Sequence, residues 1–229
     1  MDAKALLDDL LRAGNDLASQ GTEMAARSLG IPEEGPERDA TLSAMGKGAA
    51  AAGALALLLG TGTGRKLTGT ALKLGSLAAL GGVAYKAYQS WQAGRGGEIA
   101  EPGTPAGELI GAEAEQRSRA LIRAMVAAAK ADGHVDEAER GRIFEGIARL
   151  GLQDSAVELL SAEIDAPSDP AAVAAGADSP EAAGEIYLAS LLVMDPDQPG
   201  ERAYLAELSR QLGLDAALVS ELEAQARAA

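Results

Sequence analysis

The sequence predicts an all-α fold. Apolar residues recur at spacings of three, four and seven near both ends of the chain, and no stretch alternates with period two for long enough to make a strand. The breaks between these runs, at Asp132-Gly133, Gly151, Asp165-Ala-Pro167 and Gly213, carry the residues that end helices. Charge then divides the chain into three regions. Residues 1–39 hold nine acids and four bases, residues 40–97 hold six bases and no acid, and residues 98–229 hold twenty-five acids and ten bases.

Residues 1–29 read as an amphipathic helix, with Leu6, Leu7, Leu10, Leu11 and Leu17 on one face and acids on the other. Residues 30–41, containing two Pro, two Gly and five charges, are a linker. Residues 42–93 form a Gly/Ala-rich helical hairpin. Its first run, residues 48–64, has seventeen uncharged residues, near the lower limit for crossing a hydrocarbon core. Small residues recur every fourth position, as at Ala49 and Gly53 or at Ala71, Gly75 and Ala79, a spacing that lets helix backbones approach closely. Tyr85, Tyr88 and Trp91 lie three apart beside Lys86, as at a membrane interface. The expectation is a membrane-associated segment, with a hairpin that packs on itself or on further copies as the alternative. Residues 94–111, with six Gly and two Pro, are a second linker.

Residues 112–229 read as helices throughout. Leu121, Ile122, Met125, Val126 and Ala129 mark a helix over about 112–131; Ile143, Phe144, Ile147 and Leu150 mark a second; Val157, Leu159, Leu160 and Ile164 mark a third. Ser179-Pro180-Glu181 is a helix start, with Ser as N-cap and Pro where its missing N–H costs nothing. Tyr187, Leu188, Leu191 and Leu192 follow it, then Leu205, Leu208 and Leu212, then Leu214, Leu218 and Leu222.

An internal repeat is present. Residues 123–152 and 187–214 share an apolar helix, an acidic turn, Glu-Arg (139–140 and 201–202), an aromatic at 144 or 204, and Leu-Gly-Leu. Asp132, Asp136 and Glu139 in one unit, with Asp195, Asp197 and Glu201 in the other, are hard oxygen donors suited to Ca²⁺, Mg²⁺ or Mn²⁺. The turns are not EF-hands, because Ile143 and Ala206 stand where the last ligand belongs. Helix capping accounts for the same acids: Asp136 with Glu139 is a capping-box pair, and Gly133 suits a helix C-terminus. Both readings stand at this point.

Composition excludes several classes. An acidic chain of net charge −14 with sparse bases is not a nucleic-acid platform. The lack of cysteine removes disulfides, thiolate nucleophiles and zinc ribbons, and Met1-Asp2-Ala3-Lys4 does not open a cleaved signal peptide. No Gly-x-Ser-x-Gly elbow, phosphate loop or His-Glu-x-x-His is present, and His134 is the single histidine, so no enzyme is expected.

The stretches "LIRAMVAAAKADGHVDEAE", "SPEAAGEIYLASLLVMDPDQPGERAYLAELSRQLGLD" and "GRKLTGTALKLGSLAALGGVAYKAYQSWQ" together resemble the YebE-type bacterial inner-membrane proteins. Their C-terminal part is similar to the TerB-like domain of tellurite-resistance proteins. The resemblance implies a TerB-like helical bundle at the cytoplasmic membrane, facing the cytoplasm and linked to stress response. It also implies a divalent cation held by Asp132, Asp136 and Glu139 and by Asp195, Asp197 and Glu201. The function expected is a membrane-associated, non-enzymatic binding module that responds to a divalent cation and has a protein partner. The alternative is a structural membrane protein whose glycine-zipper helices assemble into a homo-oligomer.

Overall fold

The computed structural model describes residues 3–11, 77–95, 103–131, 154–194 and 198–228, and every regular element among these residues is helical. α1 is the run 3–11. The others are α2, Leu77–Arg95; α3, Gly111–Ala129; α4, Asp154–Asp165; α5, Pro170–Ala174; α6, Pro180–Leu192; α7, Pro199–Gln211; and α8, Ala216–Ala228. The all-α expectation holds.

The bundle is organised around α6. Every residue from Glu181 to Ser190 is buried, so this helix has no solvent side. α2 and α3 pack along it, α5, α7 and α8 also touch it, and α8 runs along α2. α4 packs on α3, and α7 on α5. Leu121, Ile122, Ile186, Leu188, Leu208 and Leu222 fill the core, each contributing about 1.5–3 kcal/mol by leaving water.

Helix ends are satisfied by specific groups. Ser179 Oγ accepts from Ala182 N at 3.1 Å and Pro180 occupies the first turn, fixing where α6 begins. α7 ends in a Schellman turn, in which Leu214 N donates to Ser209 O at 3.0 Å and Gly213 N to Arg210 O at 3.2 Å. Gly213 has φ +66°, the left-handed conformation that closes this turn. Lys130, just after α3, donates through Nζ to Ile164 O at 2.6 Å and also to Ala166 O, placing its charge on the C-terminus of α4. Desolvation lowers its pKa, and the nearby acids Asp165 and Glu163 oppose that. At the other end of the bundle, the Glu115 carboxylate accepts from Ala3 N at 2.5 Å and ties the start of α1 to α3. Leu6, Leu7, Leu10 and Leu11 are buried as their spacing predicts.

α2 is the described end of the segment assigned to a membrane-associated hairpin. Leu80, Ala84, Ala87, Tyr88 and Trp91 form a stripe with spacings of three, four and one, which meets α6 and α8. Tyr85 and Lys86 are exposed on the opposite side. Among the described residues no helix is long and apolar enough to cross a membrane. The run 48–64, residues 1–2 and 12–29 of the amphipathic helix and the helix marked by Ile143 to Leu150 lie outside the described residues.

Candidate functional site

Five parts of the chain converge where α6 starts. Arg117 on α3, 4% exposed, donates through Nη1 to Glu185 Oε2 at 2.5 Å and through Nη2 to Asp178 Oδ1 at 2.7 Å. Ser179 Oγ lies 3.4 Å from the same Nη2. The other oxygen of Glu185 accepts from Ala106 N at 2.6 Å, so the segment between α2 and α3 is held to α6 through one buried carboxylate. On α2, Gly81 leaves room for it: a Cβ there would come within 2.9 Å of Glu185 Oε1. Placing charges in a core costs several kcal/mol per ion, which only close pairing and hydrogen bonding offset.

Glu181 lies one turn before Glu185 and is 1% exposed, yet neither of its carboxylate oxygens has a hydrogen-bond partner among the described residues. Burial pushes its pKa to about 8, the neighbouring Glu185 charge adds to the rise, and Arg117 opposes it. Burial also raises the Glu185 pKa, against the hydrogen bonds from Ala106 and Arg117. The two acids therefore divide their roles. Glu185, with donors on both oxygens, carries the charge that Arg117 requires, and Glu181 stays neutral at pH 7.

On the solvent side of this cluster a cleft of about 710 Å³ opens between α2, the start of α6 and the α7–α8 turn. That volume is in the range of small-ligand sites. Tyr88 and Trp91 form one wall, with ring centroids 5.4 Å apart and planes tilted by 46°. Leu212, Leu214 and Leu218 form another. Asp178, paired with Arg117, and Asp215 are the charged residues among the described lining residues. Asp215 Oδ1 also accepts from Ala217 N at 2.8 Å, capping α8.

The residues proposed from sequence as metal ligands are placed as follows. Asp132, Asp136, Glu139, Asp195 and Asp197 lie outside the described residues. Glu201 is in the first turn of α7 and buried. Among the described residues no group of three His, Cys, Asp or Glu side chains is arranged to hold a metal ion. Sequence reasoning missed Arg117, Asp178 and Glu185, and treated Glu181 only as part of a helix start. A signal was present: α6 is apolar around its circumference, so an acid at any position on it beyond the cap is buried.

Residues 44–226 match a family model described as "Protein of unknown function (DUF533)", the greater part of the chain. The chain belongs to the DUF533 family. This DUF533 chain is 37% identical over 98 residues to an "uncharacterized protein in ampR 5'region" from Yersinia enterocolitica, a match covering 43% of this chain and 70% of that protein. No solved structure matches it. The DUF533 match takes in α2 through α7 and nearly all of α8, so both the buried charge cluster and the cleft lie within the family region.

Proposed function

We propose that this DUF533 chain is a membrane-associated, non-enzymatic binding module whose cleft between α2, α6 and the α7–α8 turn receives a protein partner. The observation that carries the reading is the cleft itself, an open site walled by an aromatic pair and three leucines. Its carboxylates already serve the fold: Asp178 accepts from Arg117, and Asp215 caps α8. Acids committed in this way suit recognition better than proton transfer, which needs a group free to change protonation. The uncharged run 48–64 supports attachment to the bacterial inner membrane, with the bundle in the cytoplasm.

The finer likeness to TerB-like domains belongs to the same proposal. On that reading Asp132, Asp136, Glu139, Asp195, Asp197 and Glu201 take up Ca²⁺, Mg²⁺ or Mn²⁺ and link partner binding to stress.

The experiment is photo-crosslinking in cells, with a photoreactive amino acid placed in the full chain at Leu214 in the cleft or at Ile110, 83% exposed and not part of the cleft lining. One identified protein crosslinked from Leu214 and not from Ile110, in a membrane fraction that survives a carbonate wash, supports the proposal. Equal crosslinking from both positions rejects the cleft, and release of the chain by carbonate rejects stable insertion.

A further inference from the structure

We infer that residues 103–110, the strap joining α2 to α3, form a latch over the buried Glu181 side chain that opens when that carboxyl loses its proton. The inference goes beyond the binding-module reading and does not rest on it. The cover is the first argument. Gly103 has φ +101°, and a Cβ there would come within 3.0 Å of Ser179 and 3.5 Å of Glu181 Cβ, so the strap backbone lies directly on the start of α6. A Cβ at Gly107 would come within 2.7 Å of Ala78 Cα, so the strap also presses on α2. Between these two approaches Ala106 N donates to Glu185 Oε1 at 2.6 Å, tying the strap to α6. Ala106 and Leu109 are its buried apolar side chains, and its backbone is turn and irregular structure. Lifting residues 103–106 therefore uncovers little apolar surface, whereas parting α6 from α2 and α3 would break the core.

Charge is the second argument. Glu181 is 1% exposed, and no donor among the described residues reaches its oxygens. α3 brings Arg117 to it, but Glu185 and Asp178 already share that cation. α2 brings Tyr88 to the start of α6 and carries Lys86 exposed on its far side, the strap carries Glu108, also exposed, and Asp215 lines the cleft with Ser179 and Pro180. A charge on Glu181 would stand one turn from that of Glu185, and water is what would have to solvate it. It would also compete with Glu185 for Arg117, and a Glu185 that gives up charge accepts more weakly from Ala106 N. Ionisation therefore both requires an open strap and weakens the bond that closes it. The closed form holds a proton up to a pKa of about 8, and a hydrated carboxyl releases it near 4.5. Opening is thus favoured as pH rises through that window, by up to about tenfold per pH unit.

Hydrogen exchange of the full-length protein reads the latch directly, followed by mass spectrometry at pH 6, 7 and 8 and corrected for the pH dependence of free-amide exchange. Two peptides are compared, one over residues 103–110 and one over residues 184–192 of α6. The strap should be less protected than α6 at every pH, and its protection should fall by about tenfold or more from pH 6 to pH 8. Glu181→Gln, and Glu181→Leu as a second, apolar variant, should hold the strap's protection constant to within about twofold over the same range. Strap protection that does not change with pH in the unaltered chain, or that falls equally in the variants, overturns the latch. So does a strap that exchanges at the same rate as α6, because Glu181 would then meet water only when the whole bundle unfolds.

Discussion

Glu181→Gln should make the protein more stable, and by an amount that depends on pH. The carboxyl is 1% exposed, has no hydrogen-bond partner among the described residues, and has a pKa raised to about 8 from the ordinary 4.5. Between those two values the folded chain holds a proton that the unfolded chain has released. Stability therefore falls as pH rises through the window, and the loss is complete only above the folded pKa. Each unit between the two pKa values is worth about 1.36 kcal/mol, so the group should weaken the fold by up to ~4–5 kcal/mol at pH 9 relative to pH 4. Relaxation around the new charge reduces this, and ~2–3 kcal/mol between pH 5 and pH 8 is the working expectation. Glutamine keeps the shape and cannot ionise. Urea unfolding of both proteins at pH 5, 6, 7 and 8 should give nearly equal stabilities at pH 5, with the variant ahead by ~2–3 kcal/mol at pH 8. Curves that stay parallel across this range would refute the reasoning, because Glu181 would then titrate alike in folded and unfolded chains.

Other perturbations probe the same framework. Arg117→Met strips Glu185 of its charged partner and should cost about 3–5 kcal/mol, lowering the melting temperature by ~6–20 °C; adding Glu185→Met should restore at least half of the loss in a thermal melt. Gly213→Ala should cost ~1–2 kcal/mol in urea unfolding, through its φ of +66° alone, since an added Cβ meets nothing within 4 Å. Tyr204 is 8% exposed with a hydroxyl lacking any partner among the described residues, so Tyr204→Phe should leave stability unchanged or raise it by up to ~1 kcal/mol.

Much of the bundle was legible in the sequence because its signals are local. Ser179-Pro180 begins α6, Asp165 ends α4 and Gly213 closes α7, each as capping and turn chemistry requires. The leucine stripes likewise faced inward at Leu6, Leu121, Leu208 and Leu222. What covers a stripe is a different matter. The Ala/Gly-rich face of α2 suits close packing in lipid or in protein equally, and it packs on α6 and α8, with Trp91 in the cleft wall. Replacing Gly81 by Leu would drive a side chain into Glu185 and disturb the fold itself. The cluster was hidden for a further reason: Arg117 and Glu185 are 68 residues apart, and a pairing over that distance leaves no local pattern. The acidic turns stand out by composition, and Glu201 of the second is buried, whereas Glu181 and Glu185 are buried inside an apolar helix where composition does not single them out.

The most direct measurement of the central claim is photo-crosslinking of the full-length protein in cells from Leu214 in the cleft, set against Ile110 outside it. The predicted result is one identified protein captured from Leu214 and not from Ile110. Equal capture from both positions, or none from Leu214, would contradict a partner-binding cleft.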